Sequence, residues 1–373
     1  MRVVKFMIGS RRKLSAGMSL GLWLLSSGLL LVAALWHESL LPARFMLDKT
    51  ELLRRMEKDQ SPTMFGDSFD NYAWLYNAAG LDAWSLSVVG WFAAISACFL
   101  AIRASQIREL KVLEWMVLSF WMAISIVYAG LPSKEIVVLV MVALALCCRP
   151  GMPRVAMLAI LAAIFALYFR GYWVLIISGW LALYMLGEKA LRPIRLVVLI
   201  LLAYALLSVL FEKHLGGGLT LGREVGNEWR SATEVASLIE SPLPQRGFVF
   251  DIVNVVIILA TFVVPVPLLT SGNPVQAAGG VGLFLTFCLL ATSWRRILRM
   301  PSRCSAEHRQ MLSFVISFLC VQAIFEPDYG SFLRHLTSIS PLILYCCLAS
   351  RREEGSWEMN PGPAEFRPIH PRY

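Results

Sequence analysis

An all-α, polytopic membrane protein is what this sequence predicts, on three observations. Hydrophobic residues make up 57% of the chain against 16% charged, and the mean hydropathy is +0.64, a balance too apolar for a water-soluble globule. The apolar residues fall in runs long enough to cross a bilayer as helix. Lys and Arg collect in short clusters between alternate runs, as cytoplasmic loops do. The net charge of +9 is thus a topology signal, and no nucleic-acid partner is expected.

Arg2, Lys5, Arg11, Arg12 and Lys13 precede the run Leu14 to Trp36, which makes about 34 Å of helix and places the N-terminus in the cytoplasm. Its length exceeds that of a signal-peptide core. Residues 37–83 then form a large outer segment. Leu47, Asp48, Glu51 and Leu52 are spaced as an N-cap Asp, a Glu at the third position and a hydrophobic staple, predicting a helix through Met56 on the membrane surface. Its Lys49, Arg54, Arg55 and Lys58 face lipid phosphates or solvent. Asp67 and Asp70 stand among aromatics, where they serve either acid–base chemistry or a turn.

Further spans are expected at Trp84 to Ala101, Val112 to Leu131, Ile136 to Cys148, Val155 to Phe169, Val174 to Leu186 and Leu196 to Phe211. Lys134 and Glu135, in the turn that opens the short fourth span, reach into the apolar layer, where a charged pair needs a use or a partner. Arg170 lies in a loop so short that it must sit at the outer interface, and Tyr172 and Trp173 fit an aromatic belt.

The second large outer segment covers 212–278. Gly216 to Gly218 give it a mobile neck, and Ser231 with Glu234 forms a capping box opening a helix from Ala232 to Glu240. Arg223, Arg230 and Arg246 flank that helix as anion-binding groups. Both Ile252 to Thr270 and Gly279 to Trp294 are apolar. If both crossed, Arg295, Arg296, Arg299, Arg303 and Arg309 would all face outside, so Ile252 to Ala278, broken by Pro265, Pro267 and Pro274, is expected to be a re-entrant or interfacial hairpin. The last spans are Val281 to Ile297, Met311 to Phe325 and Leu336 to Leu348. The total is about ten, with both termini cytoplasmic, a single membrane domain over 1–350 and a Pro-rich tail over 351–373. None of the eight cysteines falls in an expected outer loop, so no disulfide framework is implied.

Glu326-Pro327-Asp328-Tyr329-Gly330-Ser331-Phe332-Leu333-Arg334-His335 joins the last two spans. Pro327 and Gly330 should bend it tightly, turning the carboxylates and Arg334-His335 toward one cavity mouth. Collected on the outer face are Lys134, Arg170, Arg223, Arg230, Arg246 and Arg334 for anions, and Glu326, Asp328 or His335 as base, with Glu135 and Asp70 in reserve. Such groups suit a substrate with a polar head and a lipid tail, such as a polyprenyl diphosphate carrying sugars. Glycosyl transfer from it needs positive charge on the departing diphosphate and a base for the attacking hydroxyl. No metal, nucleotide or other cofactor is called for.

The Gly66-Asp67-Ser68-Phe69-Asp70-Asn71-Tyr72 segment, Pro132-Ser133-Lys134-Glu135 opening a span, Tyr168-Phe169-Arg170-Gly171-Tyr172-Trp173 between two spans and the late Asp328-to-His335 stretch together resemble bacterial polysaccharide polymerases of the Wzy type. The resemblance implies a GT-C-like helical bundle. It also implies an enzyme that joins polyprenyl-diphosphate-linked repeat units of O-antigen or exopolysaccharide at the periplasmic face of the inner membrane. Partners would be membrane lipids and the flippase and chain-length regulator of the same pathway. Asp67, Tyr72, Tyr172, Trp173 and Tyr329 would contact sugar. The arginine-plus-distant-glycine spacing of some O-antigen polymerases is missing, which leaves subfamily and polymer open. Three other classes remain open: a GT-C glycosyltransferase using another lipid-linked sugar, an exopolysaccharide O-acyltransferase, and a non-enzymatic transporter.

Overall fold

The computed structural model describes residues 15–42, 45–58, 61–103, 107, 109–228, 238–244, 247–299 and 305–358, and all regular structure among them is helical. Helix α1 (Ala16–Leu35) opens the chain, followed by α2 (His37–Leu40), α3 (Leu47–Met56) and α4 (Ser68–Ala78). Then come α5 (Ala83–Ile102), α6 (Val112–Ala129), α7 (Glu135–Cys147), α8 (Met152–Tyr168), α9 (Trp173–Leu186) and α10 (Pro193–Leu215). The remainder is α11 (Leu221–Glu228), α12 (Phe248–Val263), α13 (Val266–Leu269), α14 (Pro274–Arg299), α15 (Ala306–Phe325) and α16 (Tyr329–Glu358). Seven of these are long and apolar enough to cross a membrane: α1, α5, α6, α10, α14, α15 and the first part of α16. Helices α7, α8, α9 and α12 are shorter apolar helices. The protein is an all-α polytopic membrane protein.

Local chemistry sets the helix ends. Ser15 caps α1 and Ser305 caps α15, each hydroxyl accepting from a backbone N–H three residues on. Asp82 and Ser85 cap α5 reciprocally. Pro193 opens α10 at its first turn, where its missing N–H has no partner to lose, and Gly216 closes it in the left-handed conformation. Burial then sorts the helices. In α15 and α16, 78% of the apolar window is buried, against 17% in α10 and 22% in α1, so the first two form the axis and the last two the rim.

Side-chain contacts define two ends. At the basic end, Arg154 at the start of α8 is bound to Glu307 at the start of α15 (Nη1 to Oε1, 2.7 Å), and its Nη2 donates to the carbonyls of Leu146 and Cys148. Trp294 in α14 donates there to the Leu191 carbonyl before α10. At the opposite end lie the start of α7, the α8–α9 turn and the α15–α16 junction. Both ends of α12 touch this second end. Asp251 packs on Gly218, where an added Cβ would stand 1.8 Å from its Oδ2, and Phe262 stacks on Phe332 of α16 at 3.7 Å. This is the arrangement expected of the hairpin. Breaks fall at Val264–Pro265 and Thr270–Asn273, whereas Pro274 opens α14 rather than bending the hairpin.

Several expectations are corrected. Asp48 does not cap α3, which starts at Leu47 behind Met46 without a side-chain cap. Of the basic residues of α3, Lys49 and Arg55 are taken up by protein partners, whereas Arg54 stays on the solvated face. Lys49 is buried on His37 and Glu38, Arg54 pairs with Glu51, and Arg55 pairs with Glu51, Asp67 and Asp70. Trp173 is no interfacial belt residue: it is 2% exposed and packs on Phe165, Phe314 and Phe318. Of the three glycines after α10, Gly218 lies close against Asp251 while Gly216 stands in open space. From Tyr329 onward the late polar stretch is helix, so only Glu326 to Asp328 turn. The Ser231–Glu234 capping box, Arg230, Arg246 and the chain beyond Glu358 lie outside the described residues.

Two outcomes test the arrangement. In a cysteine-free background, Ala79→Cys and Ser271→Cys should react with an impermeant maleimide in intact cells while Lys189→Cys should not. A protected Ser271→Cys would mean that α12 crosses. Arg154 and Glu307 are 3% and 6% exposed. Glu307→Ala should therefore destabilise the detergent-purified protein by about 3–5 kcal/mol through the charge left buried, and an unchanged unfolding temperature would contradict this.

Candidate functional site: a carboxylate ringed by cations

The α6–α7 turn positions Glu135. Gly90 in α5 lets the backbone of α6 approach so closely that an added Cβ would stand 1.7 Å from the Ala129 carbonyl oxygen, and the Tyr76 hydroxyl holds the Ser133 carbonyl at 2.7 Å. Glu135 thus begins α7, where the helix dipole favours its charge. It is 1% exposed.

Two guanidinium groups and an imidazole from two other elements converge on one oxygen of that carboxylate. Arg170 Nη2, from the α8–α9 turn, lies 3.2 Å from Glu135 Oε1; Arg334 Nε and His335 Nε2, from the second turn of α16, lie at 3.7 and 3.8 Å. Arg170 Nη1 also donates to the Tyr172 hydroxyl at 3.0 Å, and that ring stacks on Phe325 at the end of α15. Arg334 Nη1 donates to Asp48 Oδ2 of α3 at 2.6 Å. His335 Nδ1 is hydrogen-bonded to Glu326 Oε1 and lies 3.3 Å from Gln322 Oε1. A carboxylate only accepts at neutral pH, so Nδ1 carries the proton and Nε2 is directed toward Glu135.

Lys134 completes the group, with its Nζ 3.2 Å from the centre of the Phe69 ring. Burial, reinforced by the nearby Arg170, pushes its pKa down to about 8, although the Phe69 face works the other way. Asp48, Glu135 and Glu326 balance Lys134, Arg170 and Arg334, and protonation of His335 adds one positive charge. Among the described residues, Glu135 Oε2, Gln322 Nε2 and Arg334 Nε have no hydrogen-bond partner although all are buried. Such atoms are costly to leave unmade, and they give the site unused capacity for a polar ligand.

Of the residues expected to act, Lys134, Glu135, Arg170, Tyr172, Glu326, Arg334 and His335 come together here, with Tyr72 beside Arg170. Others do not. Asp328 caps α16, accepting from the Ser331 backbone N–H and hydroxyl at 2.8 Å each. Asp67 caps α4, and both it and Asp70 are taken up by Arg55. Arg223 is fully buried against the Ala323 carbonyl. Tyr329 is 3% exposed against Phe262 and Trp173 is in the core, so neither can contact a sugar at an open surface. Two members were not foreseen, Asp48 and Gln322. Gln322 is legible in retrospect as a polar residue four positions before Glu326, on the same helix face.

The fold and site define a polytopic helical membrane protein with a buried acid–base and guanidinium cluster at one end of the bundle. Comparison of the chain with protein-family models, curated proteins and solved structures finds no match.

The lowered pKa of Lys134 has a stability consequence. Between about 8 and its unfolded value of about 10.5 the unfolded chain holds a proton that the native protein has released, so stability rises with pH across that window. Wild type should therefore gain unfolding temperature relative to Lys134→Met from pH 8 to pH 10.5. A constant difference would show that Lys134 titrates normally.

Proposed function

We propose that the protein is a polysaccharide polymerase that joins polyprenyl-diphosphate-linked oligosaccharide units at the periplasmic face of a bacterial inner membrane, with both termini cytoplasmic. The observation that carries this reading is the convergence of Arg170, Arg334 and His335 on Glu135, at the end of the bundle opposite the loops rich in Lys and Arg. The positive-inside rule makes that end the outer one.

In this mechanism His335 Nε2 takes the proton from the attacking sugar hydroxyl, with Glu326 holding the imidazole by Nδ1 and stabilising the imidazolium that forms. The hydroxyl oxygen forms a bond to the anomeric carbon of the donor sugar as that carbon's bond to the diphosphate oxygen breaks. The electron pair leaves with the polyprenyl diphosphate, whose charge Arg170 and Arg334 receive in a fork geometry that lysine lacks. The proton passes from His335 to the released diphosphate or to water, and nothing is oxidised or reduced. Tyr172, at the rim of the arginine, contacts sugar, while the fully buried Tyr72 backs Arg170 and Asp328 shapes α16. No metal or nucleotide takes part.

Deleting the gene should leave single lipid-linked units in place of polymer. Polymer of normal length that lacks acyl groups would instead indicate O-acyl transfer and overturn the proposal. Among purified variants, His335→Gln should lower the rate about 10²- to 10⁴-fold. Glu326→Gln should lower it less, and Asp328→Asn should stay within a few-fold of wild type. Equal loss in all three would mean that the stretch acts only through its fold.

A further inference from the structure

The cluster's outermost contact, between Asp48 and Arg334, assigns a further role on the reading just given. We infer that the Asp48 carboxylate occupies the position of a substrate phosphate on Arg334, and that the first turn of α3 is displaced when that phosphate binds. Asp48 and Glu135 both engage Arg334, but from different sides. The Asp48–Arg334 pair is partly open to solvent, with side chains 28% and 23% exposed, whereas Glu135 is closed off. An anion approaching from outside the bundle therefore meets Asp48 first.

Charge gives a second reason. With neutral His335 the cluster is balanced, so a diphosphate brings negative charge into a site with no positive charge to spare unless a carboxylate leaves. Glu135 and Glu326 are fixed on bundle helices, while Asp48 belongs to a helix that crosses nothing. A carboxylate and a phosphate make the same charge-assisted hydrogen bonds to a guanidinium, so one replaces the other without a change of geometry at Arg334.

The local structure of α3 permits the exchange. Its first turn has no side-chain cap, with Met46 in the capping position, so unwinding Leu47 to Thr50 gives up the Asp48 contact, the Lys49 contacts to His37 and Glu38 and the two hydrogen bonds that Thr50 donates to the Met46 carbonyl. Leu52 is fully buried, and Arg55 is tied to Asp67 and Asp70 of α4. The second half of the helix thus stays anchored while the first half lifts. Once Asp48 has moved, Lys134, Arg170 and Arg334 face the incoming phosphate together.

The test uses the full-length protein in nanodiscs, with inorganic diphosphate and farnesyl diphosphate as separate probes. Asp48→Asn keeps the size and hydrogen bonding of the side chain and should bind farnesyl diphosphate about fivefold more tightly than wild type, in line with the worth of a partly exposed ion pair. Hydrogen exchange of the Leu47–Thr50 amides in wild type should speed up when farnesyl diphosphate saturates the site. Unchanged or weaker binding by Asp48→Asn, or amides equally protected with and without ligand, would overturn the inference. Tightening seen with inorganic diphosphate alone would assign the position to a free anion rather than a lipid headgroup. Arg334→Gln separates this from the functional reading. If it binds either probe as wild type does, the phosphate-binding role of Arg334 fails whatever Asp48 does.

Discussion

A carboxylate with 1% exposure at the end of a membrane bundle is tenable only because positive charge surrounds it. Transferring an isolated ion from water into a medium of low dielectric carries a penalty on the order of 20 kcal/mol before relaxation, and Glu135 meets it with Arg170, Arg334 and the N-terminus of its own helix. The dependence is mutual, since both guanidinium groups are largely withdrawn from water, although less completely than the acid. Three separate pieces of chain, the α6–α7 turn, the α8–α9 turn and the second turn of α16, are thereby drawn to one point. The same charges that fix the helix ends supply the groups with which the proposed reaction would be carried out.

Around that point the bundle is arranged by burial. Helices α15 and α16 form the axis, so Gln322, Glu326, Arg334 and His335 project from the most rigid part of the molecule. The Arg154–Glu307 pair, with its backbone hydrogen bonds, fastens the other end of α15 to α8. On the site end, α12 packs mainly on α10 and α15 and meets α16 through Phe262, while α13 folds onto α14. The isolated bridge between Leu238 and Asp328, with Ile239 N–H donating to the Pro327 carbonyl, ties the second polar segment to the α15–α16 turn. Polar chain thus overlies the cluster on two sides: α3 through Asp48, and this bridge.

Helix positions were legible because hydropathy and charge clustering act over twenty residues at a time, and most boundaries fell within a few residues of their expected places. Convergence on Glu135 was partly legible: an acid, a lysine and an arginine at the ends of short spans have little reason to be there unless they meet. What sequence could not weigh was competition for partners. Asp48 has the spacing of a capping residue, yet an arginine almost three hundred positions away outbids the backbone N–H groups. Asp67 and Asp70 read equally as an acid–base pair or as turn formers, and the structure has Asp67 capping α4 and Arg55 paired with both. Trp173 reads as an aromatic-belt residue and Tyr329 as a sugar contact, and only the packing of Phe314, Phe318 and Phe262 against them shows that they point into the bundle. Asp328 illustrates the converse, since a residue next to an acid–base pair turns out to serve the helix start.

The central claim is that this cluster uses a lipid diphosphate as leaving group for chain growth. The most direct measurement is reconstitution of the purified wild-type protein in liposomes with a synthetic polyprenyl-diphosphate oligosaccharide as the sole substrate, with product length and released carrier followed together. The account predicts a ladder of multiples of the starting oligosaccharide, with one polyprenyl diphosphate freed for each unit added and no requirement for nucleotide or metal. Free oligosaccharide without any ladder, or substrate recovered intact from well-folded protein, would contradict it.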